Sequence, residues 1–192
     1  MAKLSGHKKL KTAVFISGTG SNLKNLIVHS KKKNSKFIID LIISNNLGAR
    51  GLNYAKQFNI NKKIINFSNP KKAEKIVLNE LKKKKIELVC LAGFMRILSK
   101  NFIKNFKGKI INIHPSLLPK YKGLNTHRRV LINSEKYSGC TVHYVNSGLD
   151  SGKIILQKKV KVFKNDTVKK LSQRILKQEH YLYPKALRKI LN

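Results

Sequence analysis

Short apolar runs alternate with helical patterns over residues 12–114, and this alternation constrains the fold more than any other feature of the sequence. Each run has the length and β-branched content of a buried strand, and the segments between the first four runs have apolar residues about 3.6 positions apart. The runs are TAVFIS (12–17), FIIDLIIS (37–44), KKIINFS (62–68), IELVCLAG (86–93) and KIINIH (109–114), and the helical segments are NLKNLIVHSKKK (22–33), ARGLNYAKQF (49–58) and PKKAEKIVLNELKKKK (70–85). This order predicts an α/β fold, in which a doubly wound, mostly parallel, Rossmann-like sheet carries helices on both faces.

The pattern changes from residue 139 onwards. GCTVHYV (139–145) and KIILQKKVKV (153–162) are joined by the turn NSGLDSG (146–152) and predict an antiparallel strand pair toward the C-terminal end. A final amphipathic helix is predicted from Thr167, with Asp166 as its N-cap. Neither a repeat nor a linker interrupts the pattern, so we expect one domain over residues 1–192.

The charge is strongly basic, with 42 lysines and arginines against 8 aspartates and glutamates and a formal net charge of +34. Such a balance is typical of proteins that bind nucleic acid or anionic membranes. Here, however, the lysines are spread over the whole chain and arginine is scarce, whereas nucleic-acid-binding proteins concentrate charge on one element. We therefore attribute the charge to A/T-rich codon usage and expect no specific nucleic-acid partner.

Cysteine usage and the N-terminal sequence indicate the compartment. Cys90 and Cys140 lie in apolar runs without metal-binding spacing, and MAKLSGHKKLK (1–11) has no apolar signal region. No apolar run approaches the length of a membrane span. We expect a cytoplasmic protein with reduced core cysteines, no membrane association and no metal.

Ligands of doubly wound sheets bind beyond the carboxyl ends of the strands. The first such end is GTGSN (18–22), in which Gly18 and Gly20 allow a left-handed backbone and the next N–H groups begin a helix. The loop is neither a Walker A sequence nor GxGxxG, because Leu23 occupies the third glycine position. It predicts either a phosphate site or an ordinary tight turn.

Two further strand ends carry candidate side chains. LAGFMRIL (91–98) is interpreted either as the rim of a flat apolar pocket around Arg96 or as a core connection. In NIHP, Asn112 and His114 are two residues apart and share one face of the strand, and Pro115 stops the ladder. An amide can stabilise a developing oxyanion and an imidazole can move a proton, although a buried histidine also occurs as a core residue.

Asp150 lies in the glycine-flanked turn and could fold back toward His114 to hold the imidazole or favour its charged form. The alternative is an ordinary turn aspartate. The other histidines are assigned lesser roles: His7 to a tail, His29 to an exposed helix face, His143 to the structure of a strand and His127 to support of the site, while His180 is left open.

Taken in order, ISGTGSNL, LAGFMRIL, NIHPSLLPKYKG, TVHYV, LDSGKIILQ and QEHYLYP resemble the phosphoribosylglycinamide formyltransferase family of purine synthesis. The resemblance runs from Ala13 to Pro184 and identifies the domain as a formyltransferase domain. It implies transfer of a formyl group from 10-formyltetrahydrofolate, as co-substrate and without a metal, to the amine of N1-(5-phosphoribosyl)glycinamide. It further implies small-molecule partners and a monomer or homodimer.

The same resemblance assigns residues to each part of the reaction. The catalytic trio is matched by Asn112, His114 and Asp150, the substrate-phosphate loop by Gly20, Ser21 and Asn22, and a glycinamide contact by Glu179. The folate pocket is matched by Met95, Arg96, Ile97, Leu98 and Asn112 on one side, by Val145, Asn146, Ser147, Gly148 and Leu149 on the other, and by Lys71 as its basic residue.

Three alternatives share some of these features. A methionyl-tRNA formyltransferase would explain the positive charge but needs a tRNA-binding second domain, and a formyltetrahydrofolate deformylase needs an N-terminal regulatory domain. A basic nucleic-acid-binding relative without catalysis is the third alternative. The combination of Asn112, His114 and Asp150 argues against it, because the drift that replaced surface residues with lysine should have erased an unused trio.

Overall fold

The computed structural model describes residues 9–192, so His7 lies outside the described part of the chain. Seven strands form one sheet in the order β3-β2-β1-β4-β5-β6-β7. The first five are parallel, β6 is antiparallel to β5, and β7 is antiparallel to β6. The strands are β1 (Leu10–Ile16), β2 (Phe37–Ser44), β3 (Asn61–Ile64), β4 (Leu88–Leu91), β5 (Lys109–His114), β6 (Tyr137–Tyr144) and β7 (Ile154–Lys161). The predicted sheet, with its antiparallel pair toward the C-terminal end, is confirmed.

Helices cover both faces of this sheet. They are α1 (Ser21–Ser30), α2 (Asn53–Phe58) after a 3₁₀ turn at Arg50–Leu52, α3 (Pro70–Lys83), α4 (Lys100–Asn105), α5 (Thr126–Ile132) and α6 (Val168–Leu191). Alternate residues of β1 enter different cores: Val14 belongs to the core that includes α1 and α6, and Phe15 to the core that includes α3 and α4. Burial on both faces explains why the strands read as continuous apolar runs.

The start of α6 differs from the prediction. Thr167 is the N-cap and accepts a hydrogen bond from the Lys170 N–H at 3.2 Å. Asp166 instead receives two hydrogen bonds of 2.7 Å from the Arg174 guanidinium and one from the Phe163 N–H. The assignment of Asp166 as N-cap was wrong because a bidentate arginine pair is a stronger partner for a carboxylate than helix N–H groups are.

Tyr183 connects α6 to the middle of the sheet. Its buried hydroxyl donates to the Leu91 carbonyl at 2.9 Å and also lies 3.3 Å from the Ile111 carbonyl, which belongs to the neighbouring strand. Cys90 is close to this hydroxyl, and burial raises the pKa of its thiol to about 12. The contact therefore fixes β4 and β5 next to the ends that carry Gly93 and His114.

Replacing Tyr183 by phenylalanine should lower the free energy of unfolding by about 1–2 kcal/mol, because a buried hydroxyl that bonds sheet carbonyls is lost without loss of apolar area. Urea denaturation measures this change. Tyr181→Phe is the matched control, since Tyr181 lies on the same helix with its side chain exposed. Equal stability of the two variants would show that the Tyr183 contact does not hold α6 to the sheet.

Candidate active site

A cavity of about 1270 Å³ opens at the carboxyl ends of β1, β4 and β5. We call it the strand-end cavity. Gly18, Gly93 and His114 all line it, so the three strand ends singled out in the sequence meet at one place. This is the edge at which a parallel sheet presents its ligand site.

The GTGSN segment forms one wall and leads directly into α1. Gly20 has φ +72°, and a Cβ on it would lie 2.7 Å from the Gly51 Cα atom, so only glycine fits. The Gly51 N–H also donates to the Gly18 carbonyl at 3.0 Å. Gly20, Ser21 and Asn22 line the cavity where α1 begins, and its first turn contains no acidic residue. This arrangement can hold an anion.

Asn22 and Glu179 meet at the side of the cavity between α1 and α6. The Asn22 amide donates to Glu179 Oε2 at 2.7 Å, and both side chains are only 8% exposed. Burial raises the pKa of Glu179, and the hydrogen bond from Asn22 opposes that effect. Asn22 Oδ1 is buried and has no hydrogen-bond partner within the described chain.

Another part of the cavity has exposed apolar side chains. Met95 is 62% and Ile97 75% exposed, whereas Phe94 turns inward and packs edge-on against Phe15 and Phe67. Met95, Arg96 and Ile97 therefore form the predicted pocket rim, whereas Leu98 lines the cavity but is buried in the core. The turn Val145, Asn146, Ser147, Gly148, Leu149 lines the same cavity. Apolar side chains on both segments suit a flat, mostly apolar ligand.

Lys71 does not join this site. It lies on the first turn of α3, is exposed, and is absent from the residues that line the cavity. The sequence around SNPKK contains several basic residues, and no strand end there indicates which of them would face the cavity. The placement of Lys71 in the folate pocket is therefore not supported by the geometry.

Both ring nitrogens of His114 face oxygen acceptors. Nε2 lies 2.9 Å from the Tyr121 carbonyl, and Nδ1 lies 3.3 Å from Asp150 Oδ2. Burial lowers the pKa of His114, and this effect outweighs the Tyr121 carbonyl and the Asp150 carboxylate, which both raise it. The contacts nevertheless suit the imidazolium, since each nitrogen then has a proton to donate.

Asp150 is the centre of the polar cluster. Besides His114, it accepts a hydrogen bond from the Gly123 N–H at 2.8 Å, and its Oδ1 lies 3.6 Å from His143 Nε2. Burial raises the pKa of Asp150, but His143, the Gly123 N–H and His114 together outweigh burial and hold the pKa below its ordinary value. The carboxylate is thus held ionised beside the imidazole.

His143 completes the cluster, although the sequence analysis gave it only a structural role. Its Nδ1 lies 2.8 Å from the Tyr144 carbonyl, and its Nε2 lies 3.2 Å from Asn112 Nδ2. Asn112 Nδ2 also donates to Asp150 Oδ1 at 3.4 Å. The register of β5 and β6 pairs Asn112 with His143, so the antiparallel pairing could have revealed this contact.

The loop after β5 holds the Tyr121 carbonyl in place. The Thr141 hydroxyl donates to the Ser116 carbonyl at 2.6 Å and accepts from the Leu118 N–H at 3.2 Å. The Tyr121 hydroxyl donates to Glu135 Oε1 at 2.9 Å. These contacts fix the loop at both ends, so His114 Nε2 meets a positioned acceptor.

The remaining histidines have separate environments. His127 lines the cavity, and burial lowers its pKa. His180 follows Glu179, and burial lowers its pKa as well. His29 contacts the Asn25 carbonyl at 2.9 Å within α1. Within residues 9–192, no group of three or more histidine, cysteine or acidic side chains could hold a metal ion.

Comparison with known proteins identifies the family. The formyl transferase family matches residues 10–187. The chain is 40% identical to phosphoribosylglycinamide formyltransferase of Haemophilus influenzae, over 93% of this chain and 85% of that one. The crystal structure of the enzyme so named from Anaplasma phagocytophilum superposes with a TM-score of 0.90 at 42% identity, over 96% of this chain and 87% of that one.

The chain belongs to the formyl transferase family. It is also 45% identical, over 94% of its residues, to the human trifunctional purine biosynthetic protein adenosine-3, of whose length it spans 18%. The resemblance predicted from the sequence motifs is therefore confirmed. Among the described helices, none is long and apolar enough to cross a membrane.

Replacing Asp150 by asparagine should lower the pKa of His114 further, because the negative charge that raises it is removed while size and shape are kept. NMR titration of the His114 ring in both proteins measures the change. Asp40→Asn, in β2 away from the cavity, is the control and should leave the titration of His114 unaltered. An unchanged His114 pKa in Asp150→Asn would mean that Asp150 only shapes the turn.

Proposed function

We propose that this protein transfers the formyl group of 10-formyltetrahydrofolate to the amine of N1-(5-phosphoribosyl)glycinamide in purine biosynthesis. One observation carries the proposal: Asp150 contacts both Asn112 and His114 in a cavity that is also lined by the GTGSN loop and by exposed apolar side chains. Identity of about 40% to relatives named for this reaction supports it.

The two walls of the cavity suit the two substrates. Gly20, Ser21 and Asn22 would bind the ribose phosphate, since helix N–H groups favour anions, and Glu179 would contact the glycinamide part. Met95 to Leu98 and Val145 to Leu149 would enclose the pterin, because a ring system with two faces needs two apolar surfaces. Both substrates would then meet at Asn112 and His114.

The folate supplies a formyl group that is already activated on N10. The bond that forms joins the amine nitrogen to the formyl carbon, the bond that breaks joins that carbon to N10, and a proton passes from the amine to N10. Asn112 and protonated His114 would donate hydrogen bonds to the negative charge that develops on the formyl oxygen. Asp150 would raise the pKa of His114 against the effect of burial and help protons to move.

The direct test is a formyl-transfer assay with both substrates and the purified chain. Turnover should be readily detected, and His114→Ala should lower kcat by roughly 10²–10⁴-fold, the usual contribution of a general acid or base. His29→Ala, on the outer part of α1, is the matched control and should retain activity. Absence of turnover in the unaltered chain, with both substrates shown to bind, would refute the proposed function.

Gly20→Ala should raise the KM for the ribonucleotide much more than the KM for the folate. The added Cβ would lie 2.7 Å from the Gly51 Cα atom, and the alanine would have to adopt a left-handed backbone conformation. The loop that faces the phosphate must therefore move. Gly48→Ala is the control, since a Cβ there makes only an ordinary contact with Asn46. Equal increases in both KM values would argue against phosphate binding at this loop.

The proposal includes a single formyltransferase domain over residues 1–192, a cytoplasmic location and small-molecule partners, as a monomer or homodimer. The basic charge does not favour a nucleic-acid role. Scattered lysines give only counterion release, which is weak, non-specific and lost at moderate salt.

A further inference from the structure

Ser17, the residue after β1, is hydrogen-bonded to the segment after β4, which lines the strand-end cavity, and to the segment after β2, which does not. Its N–H donates to the Gly93 carbonyl at 3.1 Å, and its Oγ accepts from the Met95 N–H at 2.7 Å. Its hydroxyl donates to Asn45 Oδ1, and its carbonyl accepts from Asn46 Nδ2 at 3.1 Å. Every polar group of Ser17 therefore forms a hydrogen bond, and all the partners lie outside the GTGSN segment.

The segment after β2 contacts both Ser17 and the GTGSN segment. It contacts Ser17 through Asn45 and Asn46, and it contacts the GTGSN segment through Gly51, whose N–H bonds the Gly18 carbonyl at 3.0 Å. The backbones of Gly20 and Gly51 are so close that neither residue can carry a Cβ without a clash. Movement of the anion-binding loop must therefore displace the segment after β2 and, through Ser17, the backbone of Met95.

We infer that Ser17 is a positioning residue that couples the two substrate subsites, so that binding of the phosphate-bearing substrate strengthens binding of the folate. The inference rests on the proposed function for the assignment of the two walls. A phosphate on the N–H groups of Gly20 to Asn22 would restrain that loop, and Ser17 would transmit the restraint to the apolar wall at Met95.

The physical basis is a shared ordering cost. If two ligands each require the same connected segments to be held still, the first to bind bears most of that cost and the second bears less. Coupling of this kind is reciprocal, so each ligand must change the affinity of the other by the same factor. Ser17 does not contact either reacting group, and its loss should affect this factor more than the chemistry.

The experiment measures the dissociation constant of tetrahydrofolate, which carries no formyl group, with and without saturating glycinamide ribonucleotide. In the unaltered chain the ribonucleotide should tighten tetrahydrofolate binding by about fivefold or more. In Ser17→Ala this factor should fall to near one, while each ligand alone binds roughly 2- to 10-fold more weakly because hydrogen bonds are lost. The reverse measurement, of ribonucleotide affinity with and without tetrahydrofolate, should give the same factors.

Ser35→Ala is the matched control. Its hydroxyl donates to the Phe37 carbonyl at 2.8 Å at the opposite end of β2, so the variant loses a serine hydrogen bond without touching the cavity. Should Ser17→Ala fail to fold, Asn45→Ala tests the same connection by removing the acceptor of the Ser17 hydroxyl, and it should lower the coupling factor at least about twofold.

Two results would overturn the inference: a factor near one in the unaltered chain, or an unchanged factor in the variant while both ligands bind more weakly. The second result is what a purely structural serine would give. Formyl transfer by the unaltered chain is measured in parallel. A chain that binds both ligands without turnover counts against the proposed function, whereas turnover without coupling counts only against the role of Ser17.

Discussion

Burial of the parallel strands on both faces is the constraint on which the rest of this structure depends. Val14 and Phe15 enter separate apolar cores on opposite sides of β1, so a polar side chain inside the strand is kept from water on both faces. The polar groups that face the cavity are therefore concentrated at or near the carboxyl ends of the parallel strands. β1 stops before the glycines of GTGSN, β4 stops before Gly93, and β5 stops at His114. Because parallel strands end on the same edge, the fold alone brings these three stops together.

This constraint also explains how much could be predicted from the sequence. The strands, the antiparallel pair and the shared face of Asn112 and His114 follow from local patterns, because apolar period, Gly and Pro are local signals. The place of Asp150 beside them was implied by the family resemblance. The missed contacts are all long-range. His143 lies beside Asn112 because the register of β5 and β6 pairs these two residues. The Tyr121 carbonyl lies beside His114 in a loop where Tyr121 has a left-handed backbone, with φ +57°, and no local sequence pattern predicts that conformation. Lys71 is not among the residues that line the cavity, and no strand end in its segment indicated which lysine would face it.

The few carboxylates and the many lysines occupy different kinds of position in the structure. Of the acidic residues, Glu74 accepts two hydrogen bonds from Ser99 at the start of α4, Asp166 pairs with Arg174, and Glu135 holds Tyr121. Asp150 and Glu179 face the cavity. The acids that are present therefore stabilise particular contacts, whereas the excess lysines lie mainly on exposed surfaces. At physiological salt such exposed charges are screened beyond about 8 Å, which limits the repulsion that a net charge of +34 imposes on the folded chain.

The polar cluster is arranged so that a substrate replaces protein contacts instead of filling a gap. Asn112 Nδ2 already faces His143 at 3.2 Å and Asp150 at 3.4 Å, and His114 Nδ1 already faces Asp150 at 3.3 Å. These contacts are longer than charge-assisted hydrogen bonds usually are, so exchanging one of them for a bond to a formyl oxygen loses little. In the proposed reaction the Tyr121 carbonyl, at 2.9 Å from Nε2, would hold the ring during an exchange at Nδ1, and the Gly123 N–H would keep the Asp150 carboxylate close to it. In the proposed reaction the donors would thus be oriented before the substrate arrives, and little reorganisation would remain when charge develops on the oxygen.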